Sequence, residues 1–182
     1  MAEMAPSQAR GRRFSELAVG DELWDALTVT EAHVVMAAGI FNDPGPNHVN
    51  ALQAAGGRFG ERIAHGPLLI GIAAGILGNA LGASIIALLE QSARFSRPTR
   101  LGETVIGCWA VSALDSKPRF DDGGIVCFEG KLFDGSAETL VEMTMVLAVA
   151  DRPLWDPAAH IRNHQDDHSA DITDHKTKEQ TG

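Results

Sequence analysis

Hydrophobic residues are most concentrated in residues 66–89, a run that contains no charged side chain. Its length would suit a membrane span, but repeated glycines, the polar Asn79 and Ser84, and the lack of flanking aromatic or basic residues argue against one. Pro67 favours the start of a helix and Gly82 its end, so the pattern predicts a helix of about four turns. Because this helix is apolar nearly all round, we expect it to be buried on most sides.

Four segments after this helix have the composition and alternation of β-strands. They are Ile85–Phe95, Glu103–Leu114, Gly124–Phe133 and Glu138–Ala150. In the last segment every second residue from Val141 to Val149 is apolar, and Asp134-Gly135 before it predicts a hairpin. Short connections predict that consecutive strands are antiparallel neighbours. The pattern therefore predicts an α+β fold in which an antiparallel meander wraps a long helix.

The part of the chain before this helix is less regular. Leu23–Thr30 indicates an edge strand, Thr30 is placed to cap a short helix that Gly39 would end, and residues 50–55 suit one more helical turn. Between them lies Asp43-Pro-Gly-Pro-Asn-His48, where two prolines disfavour regular helix. We expect a rigid loop that turns the side chains of Asp43 and His48 toward one point. An acid and an imidazole held beside the start of a buried helix predict an acid/base pair.

The 182 residues fit one domain, which we place at residues 13–151. Residues 1–12 are predicted to be a flexible N-terminus, and residues 152–182 a polar, flexible tail. His160, His164 and His168 recur at every fourth position of this tail. A solvated tail offers no rigid scaffold for a metal ion, so no metal site is expected.

Charge and cysteine content limit the classes of partner and compartment. The net charge of −9 argues against nucleic acid, because phosphate backbones bind to basic surfaces. Cys108 and Cys127 lie in strand-like runs and are expected as core residues rather than as a disulfide. The N-terminus lacks the charged and apolar regions of a signal peptide, so the expected location is the cytoplasm.

Two linked motifs give this sequence a family resemblance. After the Asp43–His48 loop comes Arg58-Phe-Gly-Glu-Arg-Ile-Ala-His-Gly-Pro-Leu68, which runs into the apolar helix, and Arg97-Pro98 precedes a strand. From about residue 13 to 151 the chain resembles the MaoC-like acyl dehydratases and (R)-specific enoyl-CoA hydratases. The resemblance implies the hot-dog fold, in which a curved antiparallel sheet wraps a long central helix. It also implies a homodimer or higher homo-oligomer and an acyl-CoA thioester substrate, with no cofactor because CoA is part of the substrate.

The same resemblance implies roles for individual residues. Asp43 and His48 would be the catalytic pair, and the backbone N–H of Gly66 would be the oxyanion donor. The reaction would be the reversible hydration of a 2-enoyl-CoA to a 3-hydroxyacyl-CoA with one water, the individual roles of Asp43 and His48 staying open. The expected substrate-binding residues are His65, Pro67, Arg94 and Arg97.

The chain departs from the family pattern at four places. Where the family reads Gly-Asp-x-Asn-Pro-x-His, Asn42 replaces the glycine and Gly45 replaces the asparagine. Asn50 stands where an acidic residue is common, and Ala74 lies at or near a serine that some members use. Two other functions stay open. One is a hot-dog acyl-CoA thioesterase, and the other is a non-catalytic acyl-CoA-binding or scaffold subunit, which the changes at Gly45 and Ala74 support best.

Overall fold

A computed structural model of the chain describes residues 11–154. Residues 1–10 and the segment 155–182, with its three histidines at 160, 164 and 168, lie outside the described part. In chain order the main elements are β1 (Glu22–Thr28), α1 (Glu31–Ile40), α2 (Pro46–Val49), α3 (Ala51–Ala55), α4 (Gly66–Leu81), β2 (Ile85–Phe95), β3 (Thr104–Ser116), β4 (Gly124–Phe133) and β5 (Thr139–Val149). The first described residues contact the C-terminal end of α4, where the Arg12 N–H donates to the carbonyl of Ala80 at 2.9 Å.

The five strands form one antiparallel sheet in the order β1-β3-β4-β5-β2. The predicted meander is confirmed for β3, β4 and β5, but it is wrong for β2 and β3. Strand β2 pairs with β5 along its whole length, and β1 occupies the edge of β3 instead. The connection over residues 96–103 is longer than a tight hairpin and carries the chain from the edge strand β2 to β3, which lies next to the opposite edge strand β1. Register shifts within β2 and β3 mark bulges that increase the twist of these strands.

One face of the sheet packs against α4. The buried residues of α4 recur at helical spacing, namely Leu69, Ala73, Ile76, Leu77 and Leu81. On the sheet, Trp109 is fully buried and donates its indole N–H to the carbonyl of Ala73 at 2.8 Å. Gly107 allows the close approach, because a β-carbon there would lie 2.3 Å from Cδ1 of Ile76. The sheet therefore wraps the helix as the hot-dog fold requires.

The opposite face of α4 is open, and the expected burial on most sides is wrong for the single chain. Gly71, Gly75 and Gly78 recur along this face and are exposed. By length and composition alone, residues Gly66–Ser84 form one helical run apolar enough to cross a membrane. Its buried face nevertheless belongs to the hydrophobic core, which accounts for the apolar composition of that side.

Candidate active site

Asp43 is placed by the way α1 ends. The predicted cap at Thr30 is confirmed, but Gly39 does not end the helix, which continues to Ile40 with Phe41 as its C-cap residue. The N–H of Asp43 donates to the carbonyl of Ala38 at 3.0 Å, and Asn42 has a positive φ of 52°. This is the Schellman arrangement, in which glycine or asparagine takes the left-handed position. Asn42 therefore adopts the left-handed conformation for which the glycine of the family pattern is suited.

Gly45 lies between the two predicted catalytic side chains. Its N–H donates to Oδ1 of Asp43 at 3.1 Å, which holds the carboxylate over the loop. A β-carbon at position 45 would lie 2.9 Å from this oxygen and 3.4 Å from Cδ2 of His48. A side chain at position 45 would therefore press on the Asp43 carboxylate and touch the His48 ring, whereas Gly45 leaves this space open.

His48 lies in α2, the single helical turn that Pro46 begins. This turn corrects the expectation of a loop without helix, since Pro46 at the start of a helix costs no hydrogen bond. Nδ1 of His48 lies 2.8 Å from the carbonyl of Ile63. Because a carbonyl oxygen only accepts, Nδ1 carries the proton in this bond. In the neutral ring Nε2 is then a free acceptor, and it faces Oδ2 of Asp43 at 3.9 Å.

These two facing atoms are both hydrogen-bond acceptors, and 3.9 Å is too long for a direct hydrogen bond. A single water can donate one proton to each of them, because two water hydrogen bonds of about 2.8 Å span a gap of this size. The His48 side chain is 16% exposed and that of Asp43 is 55% exposed. The pair is therefore reachable from outside, and its spacing leaves room for one water between the two atoms.

His65 is buried directly behind this pair. It is 1% exposed, its ring is stacked on that of His48 with centroids 3.7 Å apart, and Nε2 lies 3.0 Å from the carbonyl oxygen of Asp43. The ring edge of Phe41 approaches it from another side. Nδ1 of His65 is buried and makes no hydrogen bond with any residue in 11–154. His65 thus contacts the two predicted catalytic residues, although its sequence position suggested contact with substrate.

Gly66 is the first residue of α4, where the helix leaves backbone N–H groups without partners inside the helix. It lines a cavity of about 340 Å³ together with Leu69, Phe95 and Arg97. A β-carbon on Gly66 would come within 3.1 Å of the Phe95 ring. Glycine therefore fits here because Phe95 packs closely over the start of the helix. Pro67, the next predicted residue, is exposed in the same first turn.

The two predicted arginines lie on different faces of the sheet. Arg97 lines the cavity beside Gly66, where it also pairs with Asp134 at 3.7 Å and Glu138 at 3.4 Å. Arg94 lines a separate cavity of about 690 Å³ with Trp24 and Lys131. Adjacent residues of a strand point to opposite faces, and the neighbouring Phe95 is on the side of α4. The structure therefore brings Arg97 to the Gly66 site but does not bring Arg94 there.

Three residues of this region were absent from the sequence-based site. Ile63 supplies the carbonyl that orients His48, Phe95 covers Gly66, and Arg58 lines the cavity beside Gly66. Arg58 begins the same motif that ends in His65-Gly66, so its place in the motif was an available signal. Ile63 lies in the same motif, but its role was not visible in the sequence because it acts through a backbone carbonyl. The role of Phe95 depends on where its strand packs, so the sequence held no signal for it.

The segment that presents the Ile63 carbonyl is held by two ion pairs. Arg62 makes a two-pronged contact with Glu31 of α1 at 2.8 and 2.5 Å, and Arg100 bonds Glu61 at 2.6 Å. The hydrogen bond from Arg62 holds the pKa of the Glu31 carboxyl below its usual value. The N–H of Ile63 also donates to the carbonyl of Asn47 at 2.9 Å. The segment that bonds His48 is therefore itself held by contacts with α1 and α2.

Asp43, His48 and His65 could each offer a ligand atom to a metal, and these atoms lie within 4.8 Å of one another. The two imidazole rings are stacked with centroids 3.7 Å apart and planes only 23° apart, so their lone pairs lie in nearly parallel, separate planes. A metal ion lies near the plane of each imidazole that binds it, within about 2.1 Å of the nitrogen. The stacked geometry therefore suits an acid/base pair backed by a second ring better than a metal centre.

Comparison with known proteins identifies the family. The family model described as a MaoC like domain matches residues 19–119. The chain belongs to the MaoC-like dehydratase family. A curated MaoC-like relative, the (R)-specific enoyl-CoA hydratase of Rhodospirillum rubrum, is 32% identical over 130 residues, which cover 70% of this chain and 90% of the relative. The 3-hydroxybutyryl-CoA dehydratase of Methylorubrum extorquens is 33% identical over 92 residues, covering 50% of this chain and 59% of that relative.

Solved structures show which fold this MaoC-like chain has. An unliganded R-hydratase from Pseudomonas aeruginosa superposes with a TM-score of 0.71 at 24% identity, covering 80% of this chain and 90% of that chain. The (R)-hydratase from A. caviae involved in PHA biosynthesis gives a TM-score of 0.65 at 27% identity, covering 73% of this chain and 97% of that chain. The hot-dog fold expected from the sequence is thereby confirmed.

Proposed function

We propose that this MaoC-like protein is a hydro-lyase that reversibly hydrates a 2-enoyl-CoA to a 3-hydroxyacyl-CoA. One observation carries the proposal: Oδ2 of Asp43 and Nε2 of His48 face each other at 3.9 Å. Two acceptors at this distance can bind one water between them. Relatives named for enoyl-CoA hydration and 3-hydroxybutyryl-CoA dehydration support the substrate class.

The chemistry needs three events, and the chain has a group for each. The oxygen of the held water bonds to Cβ of the enoyl thioester while one of its protons passes to the Asp43/His48 pair. The electron pair of the double bond moves toward the thioester oxygen as an enolate. A proton returned from the same pair to Cα then completes the addition, so the pair ends as it began. Which of the two residues takes the proton and which orients the water stays open.

Gly66 is proposed to stabilise the enolate. Its N–H lies at the positive end of the dipole of a sixteen-residue helix, where negative charge is favoured. Donors of this kind contribute about 3–4 kcal/mol to transition-state stabilisation in other enzymes. Arg58 and Arg97 line the cavity beside Gly66 and are the cations placed to meet the phosphates of CoA. Arg97 would have to exchange part of its pairing with Asp134 and Glu138 to do so.

We also propose that the active form is a homodimer that pairs along β2. Within the described chain β2 is an edge strand that bonds only β5, and its apolar Leu88 and Leu89 are about half exposed. Unpaired edges that carry apolar side chains are templates for pairing with another strand. A second copy of β2, running antiparallel, would satisfy this edge.

The test is the hydration of crotonyl-CoA, followed as the loss of absorbance of the enoyl thioester. Asp43→Asn and His48→Gln are each expected to lower kcat by about 100- to 10,000-fold, the usual contribution of a general acid or base. Asp115→Asn and His33→Gln, on β3 and α1, are matched controls and should stay within threefold of the wild type. Wild-type-like turnover by either site variant would refute the assigned pair.

The same reaction separates the two alternative functions. A thiol-reactive dye reports free CoA, so release of thiol without formation of a 3-hydroxyacyl product would identify a thioesterase. A thermal shift with acyl-CoA but no turnover over a panel of enoyl-CoA chain lengths would identify a non-catalytic binding subunit. Chiral analysis of the product would show which face of the double bond receives the water.

A further inference from the structure

His65 is the residue that joins the separate parts of the proposed active site. Its Nε2 lies 3.0 Å from the carbonyl oxygen of Asp43, its ring lies against that of His48, and the next residue is Gly66. Asp43 and His65 are 22 positions apart in the chain, so this contact bridges two elements. The loop after α1, the turn α2 and the start of α4 therefore meet at one imidazole.

The protonation of this ring follows from its partners. The Asp43 carbonyl only accepts, so Nε2 of His65 must carry a proton and donate. Nδ1 is buried and has no partner within the described residues. A second proton there would add a buried N–H that has no acceptor among these residues, which is unfavourable. The hydrogen-bond partners therefore favour the Nε2–H form, with Nδ1 unprotonated.

These contacts control geometry at both catalytic side chains. The bond to the Asp43 carbonyl fixes the backbone from which the carboxylate projects. The stacked ring restricts rotation of the His48 ring, whose Nδ1 is already held by Ile63, so Nε2 keeps its direction toward Asp43. Catalytic groups must be held within about 0.5 Å of the productive geometry to be effective.

We propose that His65 is a positioning residue, which holds Asp43 and His48 in register with the N–H of Gly66 without touching the substrate. The inference rests on the proposed function, since it concerns the same reaction. The sequence left two roles open for His65, contact with the substrate and holding the loop before α4, and this proposal develops the second. A residue of this kind should affect kcat far more than KM, because it acts on the arrangement of the reacting groups rather than on substrate binding.

The test compares two amides that differ in reach. In His65→Gln the side-chain N–H₂ can occupy the place of Nε2 and still donate to the Asp43 carbonyl. In His65→Asn the amide is shorter and reaches only the place of Nδ1. We expect kcat for crotonyl-CoA to fall at least tenfold in His65→Asn, while KM stays within threefold of the wild type. The kcat of His65→Gln should be at least threefold higher than that of His65→Asn. His33→Gln, another histidine that bonds only a local cap, is the control.

Equal kcat in the Gln and Asn variants would overturn the proposal, and so would a loss that appears in KM alone. A loss of activity that simply follows the fall in melting temperature across the variants would also overturn it, since that is a purely structural role. If Asp43→Asn remains active, the proposed function fails instead. Inactive Asp43→Asn with wild-type-like His65→Asn contradicts only the positioning role.

A measurement on the unaltered chain covers the case in which the variants do not fold. Nitrogen-15 NMR of the imidazoles distinguishes the two neutral tautomers and the charged ring. The proposal requires the Nε2–H tautomer for His65 and the Nδ1–H tautomer for His48. A His65 ring protonated on Nδ1 alone could not donate to the Asp43 carbonyl, and this result would overturn the proposal directly.

Discussion

At the scale of single residues, the departures of this chain from its family are accommodated by local geometry. Asn42 adopts the positive φ that a glycine would otherwise provide, and Gly45 gives its N–H to Asp43 while leaving room between the catalytic pair. Ala74 is half-buried beside Ala73, whose carbonyl receives the Trp109 N–H. At positions 42 and 45 these changes preserve the placement of Asp43 and His48, which favours an active enzyme over an inactive scaffold.

The role of Asn42 gives a prediction for stability. Asn42→Ala should lower the free energy of unfolding by about 1 kcal/mol, because residues other than glycine and asparagine resist the left-handed conformation. Asn42→Gly should stay within about 0.5 kcal/mol of the wild type, since glycine adopts this conformation without strain. Urea unfolding of the three proteins measures the difference. Equal losses in the two variants would show that the φ of residue 42 does not limit stability.

At the scale of elements, the site depends on how α1, α2 and the segment before α4 are tied together. The Glu31–Arg62 contact joins the first turn of α1 to the strand-like segment whose Ile63 carbonyl orients His48. Glu31 also stands where a helix favours negative charge. Geometry at His48 is therefore set partly by an ion pair that lies outside the catalytic loop.

This ion pair predicts a specific dependence of stability on pH. The folded-state pKa of Glu31 is lowered, first by its hydrogen bond from Arg62. The stabilisation is therefore fully present above the ordinary glutamate pKa of about 4.3, and it is lost as the pH falls through the lowered value. The melting temperature of the wild type should exceed that of Glu31→Gln at pH 7, and this gap should close as the pH falls through the lowered pKa of Glu31. A gap that stays constant with pH would contradict the prediction.

At the scale of the whole molecule, the described chain leaves several apolar surfaces that a single copy does not cover, and two of them lie on β2 and α4. One is the edge of β2, where Leu88 and Leu89 are exposed, and the other is the glycine face of α4. The strand order places β2 at the margin of the sheet, next to the strand β5 that carries much of the core. Pairing of two β2 strands would extend the sheet across two copies.

A charged substitution on the edge strand β2 tests the proposed dimer. The wild type should have the mass of two 19.3 kDa chains in multi-angle light scattering, whereas Leu88→Glu should shift toward one chain. Charged residues on an edge strand oppose pairing because two copies bring the same charge together. Val19→Glu, at an exposed turn, is the control and should remain a dimer. A dimeric Leu88→Glu protein would place the contact elsewhere.

The sequence by itself determined most of the elements and named Asp43 and His48 as the proposed catalytic pair. The bounds of β2 and β4 agree with prediction, and those of α4, β3 and β5 differ by only one or two residues, because alternation and helical spacing are local properties of the chain. Asp43 and His48 were also found locally, since two prolines mark a fixed loop around them. These features depend on near neighbours in sequence, which is why the pattern contains them.

Tertiary structure decided the features that require distant partners. Whether β2 lies beside β3 or β5 depends on competition among strand edges, and the local pattern is the same in both arrangements. The assignment of Arg94 to the face away from α4, the stack of His65 on His48 and the use of the Ile63 carbonyl follow from that packing. The sequence named an acid and an imidazole, and the fold determined their separation, the carbonyl partner of the imidazole and the buried ring behind them.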